Sequence, residues 1–152
     1  MIGVVTKTMF FDSPKVISAT DRATRKVLSK FGAFVRRGAK SSIRKRKRPS
    51  LPGMPPSSHT GLLKKMILFG YDTDRYSVVI GPTPLHGAGY KNVLEALEYG
   101  GTYARMRTEY LGGRGRKRRV KYMATYRARP FMRPALEKEL PKLPAMWRDS
   151  VK

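Results

Sequence analysis

Apolar positions along the chain fall into segments of different period. Asp12 and Ser13 offer an N-cap, and Pro14 suits a first helical position. From there Val16, Ala19, Ala23, Val27, Phe31, Phe34 and Val35 recur mainly at spacings of three and four, one face of a helix. The pattern predicts a helix over 14–44, roughly 45 Å long at ~1.5 Å per residue. Arg22, Arg25, Lys26, Lys30, Arg36, Arg37 and Lys40 fill its other faces, while Gly32 and Gly38 weaken it and allow a bend. Ahead of the helix, Ile2, Val4, Val5, Met9, Phe10 and Phe11 read as an apolar arm or short strand.

Four prolines between positions 49 and 56 exclude a continued helix or an inner strand. Residues 49–58 therefore read as an extended, polyproline-like linker. It is either a surface loop or an arm lying across a neighbouring subunit. Residues 61–71 suggest a helical turn and a strand, and 76–80 a second strand. Asp72, Thr73 and Asp74 supply the turn between them, so the two strands form a hairpin. A Gly/Pro loop over 83–90 leads to a short helix at 91–99, stopped by Gly100 and Gly101.

Period-two alternation returns at 102–111 and 120–129. Tyr103, Arg105, Arg107 and Glu109 share one face of the first strand, and Val120, Tyr122, Ala124 and Tyr126 one face of the second. The connector, with Arg114, Arg116, Lys117, Arg118 and Arg119, reads as a flexible basic tip. Pro130 ends the pair, and Pro134 opens a last helix with Ala135, Leu136, Leu140 and Leu143 on its apolar face. Pro141 and Pro144 disturb the end of that helix. The expected class is α+β: a long N-terminal basic helix, a small antiparallel sheet of about four strands with an extended hairpin, a short middle helix and a C-terminal helix. The organisation is a single domain: an arm and helix over 1–48, a linker over 49–58, and an α+β body over 59–152 carrying the hairpin 102–129.

Charge adds a second division. The 152 residues hold 33 Lys and Arg against 10 Asp and Glu, a formal net charge of +23. Residues 22–48 contain 12 basic residues and no carboxylate, and 105–133 contain 11 with Glu109 alone opposing them. The remainder is nearly balanced, so the chain reads as a near-neutral body with two basic devices. Clustered like charge costs folding energy and is tolerated where an anionic partner neutralises it or the segment stays solvated. Partner contacts are accordingly expected at Arg36, Arg37, Lys40, Arg44, Lys45, Arg46, Lys47 and Arg48, at the five tip residues, and at Arg133.

Chemistry is less promising. The absence of Cys removes disulfides, thiolate metal sites and Cys nucleophiles, and His59 and His86, the only two histidines, stand in no metal or triad spacing. Asp72 and Asp74 suit a turn. Glu95 and Glu98 could share a helix face, there pairing with a local Arg or holding a cation. The Gly-Gly-Arg-Gly tip lacks the Lys-Ser/Thr ending of a phosphate loop. No enzyme activity and no cofactor are expected. With no apolar run near ~18 residues, no membrane span is expected either.

One ordered set of residues carries a resemblance: His59-Thr60-Gly61-Leu62-Leu63, then Val79-Ile80-Gly81-Pro82, then Glu98-Tyr99-Gly100-Gly101, and finally Ala128-Arg129-Pro130-Phe131-Met132-Arg133-Pro134-Ala135-Leu136. Over residues 57–140 this resembles the small neck and tail-completion proteins of tailed bacteriophages: minor tail, tail terminator and head–tail joining proteins. The chain departs from their pattern at Gly101 and in its longer, more basic stretch over 103–122. The resemblance implies a virion structural protein, made in the host bacterial cytoplasm, that forms a ring, six-fold for preference, at the head–tail junction. Its implied partners are further copies of itself, the adjacent connector and tail-tube proteins, and the backbone of packaged DNA. Glu98, Tyr99 and Gly100 would then turn a helix into a strand, and Phe131 and Met132 would anchor the last helix. The composition alone supports an alternative, a stand-alone nucleic-acid-binding protein of ribosomal or nucleoid type.

Overall fold

The computed structural model describes residues 13–83, 92–111, 115–148 and 150. The apolar arm over 1–12, the loop from 84 to 91 with His86, and Arg114 lie outside them. Helix α1 (Ser13–Ser42) is the longest element. It ends where the Ser41 and Ser42 hydroxyls donate back to the carbonyls of Gly38 and Ala39, and Ile43 turns inward to become almost fully buried. The remaining elements are β1 (Arg44–Lys45), β2 (Ser57–Ser58), α2 (Leu62–Met66), β3 (Ile67–Asp72), β4 (Ser77–Pro82), α3 (Val93–Tyr99), β5 (Gly101–Leu111), β6 (Arg116–Tyr126), α4 (Met132–Glu139) and α5 (Leu143–Trp147). A 3-10 turn, Leu140–Lys142, joins the last two helices; Pro141 lies at the start of this turn and Pro144 at the start of α5, where a missing N–H costs nothing. Among the described residues no helix is long and apolar enough to cross a membrane.

The fold class is α+β as expected, with one rearrangement. The four long strands form two separate antiparallel hairpins, β3–β4 and β5–β6, and β1 and β2 make a short parallel pair. A common sheet would need a shared apolar face. The apolar residues of β5 and β6 are instead split between both faces and interleaved with Arg and Lys, so neither face can be buried whole.

Helix α1 lies at the centre of the core. Phe31, Val35 and Ala39, with Ile43 just beyond, pack against Leu63, Ile67, Phe131 and Ala135. Hairpin β3–β4 and helix α4 both pack on α1. The expected separation of a basic helix from the body is therefore corrected: the apolar stripe of α1 is the core, and its cations are that stripe's solvent side. Gly32 serves close packing here. A Cβ at this position would lie 2.7 Å from Val78 Cγ2 and 3.0 Å from a Phe69 ring carbon, so the β3–β4 hairpin sits where only glycine leaves room.

Residues 49–58 fold back on their own chain. The Gly53 N–H donates to the Ala128 carbonyl at 2.8 Å, Arg129 Nε donates to the Ser50 carbonyl at 3.0 Å, and Pro56 and Ser58 are buried. The segment docks as a loop on its own protomer, held by a main-chain bond to Ala128 and by the Arg129 side chain.

Gly32→Ala is expected to destabilise the protein by about 1–3 kcal/mol through overpacking, although alanine favours an isolated helix by ~1 kcal/mol. Urea denaturation of the variant distinguishes the two signs.

Candidate interaction surface

A carboxylate bonded by three main-chain N–H groups lies at the root of the β5–β6 hairpin. Helix α4 begins with Phe131 as its N-cap, whose side chain cannot cap. Glu98, from α3, supplies the missing acceptor. Its Oε2 accepts from the N–H groups of Phe131 and Met132 at 3.0 and 3.1 Å, and its Oε1 from that of Arg133 at 2.8 Å. Pro134 has no N–H, so one carboxylate closes every open donor of the helix start, where the helix dipole also favours negative charge. Glu98 thus takes main-chain donors rather than a cation or a local Arg.

Two residues further on, Gly100 has φ +72, and a Cβ there would come within 2.9 Å of the Ala128 N and the Tyr126 carbonyl oxygen. Glycine is required for α3 to turn into β5 beneath residues 126–128. Phe131 is 1% exposed, so its expected role as an anchor holds.

From this root β5 and β6 pair over eleven residues each, Gly101↔Tyr126 to Leu111↔Arg116. The pair is about 35 Å long at ~3.3 Å per residue. Strand β6 starts earlier than expected. Arg116, Lys117, Arg118 and Arg119 are paired strand residues, not a flexible connector, because the ladder continues out to Leu111. Beyond its root the hairpin touches little of the body.

Its two faces differ. On one, Arg105 lies over the Tyr126 ring at 5.3 Å and Arg107 over Tyr122 at 5.7 Å, while Arg107 Nε donates to Glu109 Oε1 at 2.8 Å. Tyr103 and Tyr126 stack tilted at 6.3 Å. This face satisfies itself through cation–π and ring contacts. The other carries Ala104, Met106, Thr108 and Tyr110 opposite Met123, Lys121, Arg119 and Lys117. Here Met106, Met123 and Tyr110 are 61%, 64% and 71% exposed, and Lys117 lies over the Tyr110 ring at 5.6 Å. Charge drew attention to the tip and away from these apolar residues. The signal that could have found them was the presence of cations on both faces, which leaves no face fit for burial.

The second basic device is fixed to the body as well. Arg44 and Lys45 pair with Ser57 and Ser58, and the His59 ring nitrogen Nε2 bonds the Lys47 carbonyl. Arg44, Lys45, Arg46, Lys47 and Arg48 are all exposed. Three expected contact residues of α1 have different settings. Arg36 Nε donates to the Ile67 carbonyl at 2.9 Å and its guanidinium lies over Phe69, which ties it into the fold. Arg37 lies exposed over Phe34. Lys40 is held below the ordinary lysine pKa by desolvation, with Arg36 and Lys64 adding repulsion. Arg133 is exposed and bonds Glu137 at 2.8 Å, which raises its pKa.

An apolar groove of about 530 Å³ lies between α1, β4 and the start of α4, floored by Phe31, Val35, Val78 and Ile80 with Tyr99 and Arg133 also lining it. Among the described residues no group of three or more His, Cys, Asp or Glu gathers that could hold a metal ion. Comparison with family models, with curated proteins and with solved structures gave no match.

Glu98→Ala is expected to lower stability by about 2–4 kcal/mol, since three main-chain donors lose a charged acceptor. Glu98→Gln should lose less, as it keeps one acceptor oxygen; equal urea midpoints for wild type and alanine variant would remove the cap from the account. Lys40 gives a pH-dependent expectation. Its depressed pKa means that the charged form opposes folding below the folded-state pKa, and that this opposition fades as pH rises towards the ordinary value of 10.5. Lys40→Met should therefore raise the denaturation midpoint at neutral pH, and the gain over wild type should shrink as the buffer approaches that value.

Proposed function

We propose that this chain is a structural subunit of the head–tail junction of a tailed phage, forming a ring that joins or closes head and tail around the DNA channel. The observation that carries the reading is the β5–β6 hairpin, a long, basic, two-stranded arm rooted on a capped helix start and packing on little else among the described residues. A hairpin alone is marginally stable in water, so this arm suits a role in which a neighbour completes it. The motif resemblance over 57–140 supports the same reading. Its most specific elements, the Glu98–Gly100 step and the run around Phe131, meet at the hairpin root, where they organise the arm rather than perform chemistry.

In this reading further copies form the ring, and adjacent connector and tail-tube proteins take up the basic devices. A conduit that must pass DNA cannot hold it tightly, which favours protein contacts for the arm. The exposed run Arg44–Arg48 favours a second reading, a nucleic-acid-binding protein working as a monomer through phosphate contacts.

Sedimentation and electron microscopy of the purified chain test the ring. DNA titration of the monomer tests the alternative, which requires binding at moderate salt with log K falling against log salt at a slope of about −4. Replacing Arg114, Arg116, Lys117, Arg118 and Arg119 together by Ser should leave the circular dichroism spectrum and melting temperature unchanged while blocking particle assembly. Normal infectious particles from that variant would refute the role given to the arm.

A further inference from the structure

We infer that the methionine-bearing face of the β5–β6 hairpin docks an acidic protein surface with an apolar centre, and that this surface belongs to a protein other than a copy of this chain. The inference deepens the assembly reading, on which it rests only in taking the hairpin to act between molecules.

Three observations combine. First, the face is graded. Ala104, Met106 and Met123 make an apolar stretch near the root, and Lys117, Arg119 and Lys121 make a cationic stretch towards the tip, with Tyr110 among them. Apolar side chains beside a charged margin are the materials of a protein–protein contact, an apolar core and a polar rim. Methionine's unbranched, polarisable side chain adapts to a partner's contour.

Second, most of the arm's charge meets no carboxylate among the described residues. Residues 101–126 hold eight Lys and Arg against the single carboxylate of Glu109, and Glu109 is bonded to Arg107. Arg118, Arg119 and Lys121 meet no carboxylate among the described residues.

Third, a second copy brings far more like charge than it could neutralise. Each copy brings 33 basic residues against 10 acidic ones. Of those ten, Glu98 is engaged by three N–H groups, Glu137 by Arg133 and Glu139 by Lys142. Docking the arm on another copy would set positive charge against positive charge.

Nucleic acid satisfies the cations but not the face. A duplex presents phosphates and narrow sugar edges, with no apolar patch broad enough to cover Met106 and Met123. The opposite face, where arginines and tyrosines could have met bases, has the guanidiniums of Arg105 and Arg107 already set over its own rings. An acidic protein surface answers both the charge and the exposed thioethers.

The test uses the full chain and three fluorescent probes in fluorescence anisotropy at low salt: polyglutamate, a glutamate-rich glutamate–tyrosine copolymer of similar length, and a short duplex DNA. The copolymer should bind about tenfold more tightly than polyglutamate, because its rings can cover the methionines. The double variant Met106→Ser, Met123→Ser changes only exposed side chains, and should erase that tenfold advantage without altering polyglutamate binding. Three results overturn the inference: DNA binding more tightly than the copolymer, methionine replacement leaving the copolymer's affinity unchanged, or none of the probes binding. Sedimentation of the same preparation reads the ring separately. Methionine-dependent binding by a chain that never forms rings would count against the ring alone. Rings without such binding would count against this inference alone.

Discussion

A single carboxylate positions the part of this protein that faces outward. Glu98 sits at the end of α3 and closes the start of α4 through three N–H groups. Between those two points the chain leaves as β5 and returns as β6. The same contact therefore fixes a helix start, seats Phe131 in the core and closes the base of the hairpin. Around it the Arg129 N–H donates to the Leu97 carbonyl at 2.6 Å, and the Gly53 N–H to Ala128, so three stretches distant in sequence are laced together over a few residues. The bonds of an ionised acceptor at a helix N-terminus are among the stronger ones available to a protein. This one lies where a lever arm meets its support.

The core imposes the complementary constraint. Its apolar stripe belongs to α1, and a helix with one buried stripe must present its remaining faces to water. Cations on those faces do not form a separable module. Arg36 shows how far the two are merged, since its guanidinium serves the Ile67 carbonyl and the Phe69 ring. Lys40 shows the cost, a cation in a site that disfavours its charge. The fold thus tolerates like-charge crowding on the body and extends it along the hairpin and the run from Arg44.

Much of this was legible in the sequence because it follows from local period. Spacing gave α1 almost to its ends, and alternation gave the faces of each hairpin strand, Arg105 with Arg107 and Tyr122 with Tyr126, while the register that brings those two faces together came from the structure. What escaped depends on contacts between distant residues. Glu98 and Arg133 lie 35 positions apart, and no local pattern tells a glutamate that caps another helix from one that pairs with a neighbour. Gly32 reads as a weak point in a helix until Val78 is brought against it. The linker reads as extended because proline excludes helix and inner strand, yet proline does not prevent the loop from bonding its carbonyls and remaining N–H groups to residues 128–129. Division of the strands into two hairpins was written in the sequence in one respect: a sheet face needs a run of apolar positions, and β5 and β6 interrupt theirs with Arg and Lys.

These constraints explain why the charge and the apolar residues of the arm belong together. A long two-stranded ribbon leaves its edges open to pairing with other chains, and cations along it oppose indiscriminate pairing. Charge alone would make the arm merely soluble. Met106, Met123 and Tyr110 reverse that outcome for one kind of surface, since an acidic neighbour removes the repulsion and lets the apolar contacts form. Selectivity then comes from requiring both conditions at once. An acidic surface without an apolar centre gives weak, salt-sensitive contact, and an apolar surface without acid is repelled by none of the arm's cations but must leave them desolvated and unpaired. The capped root supplies the remaining condition, holding the ribbon in one direction so that its graded face meets the partner without the entropy loss of ordering a free segment.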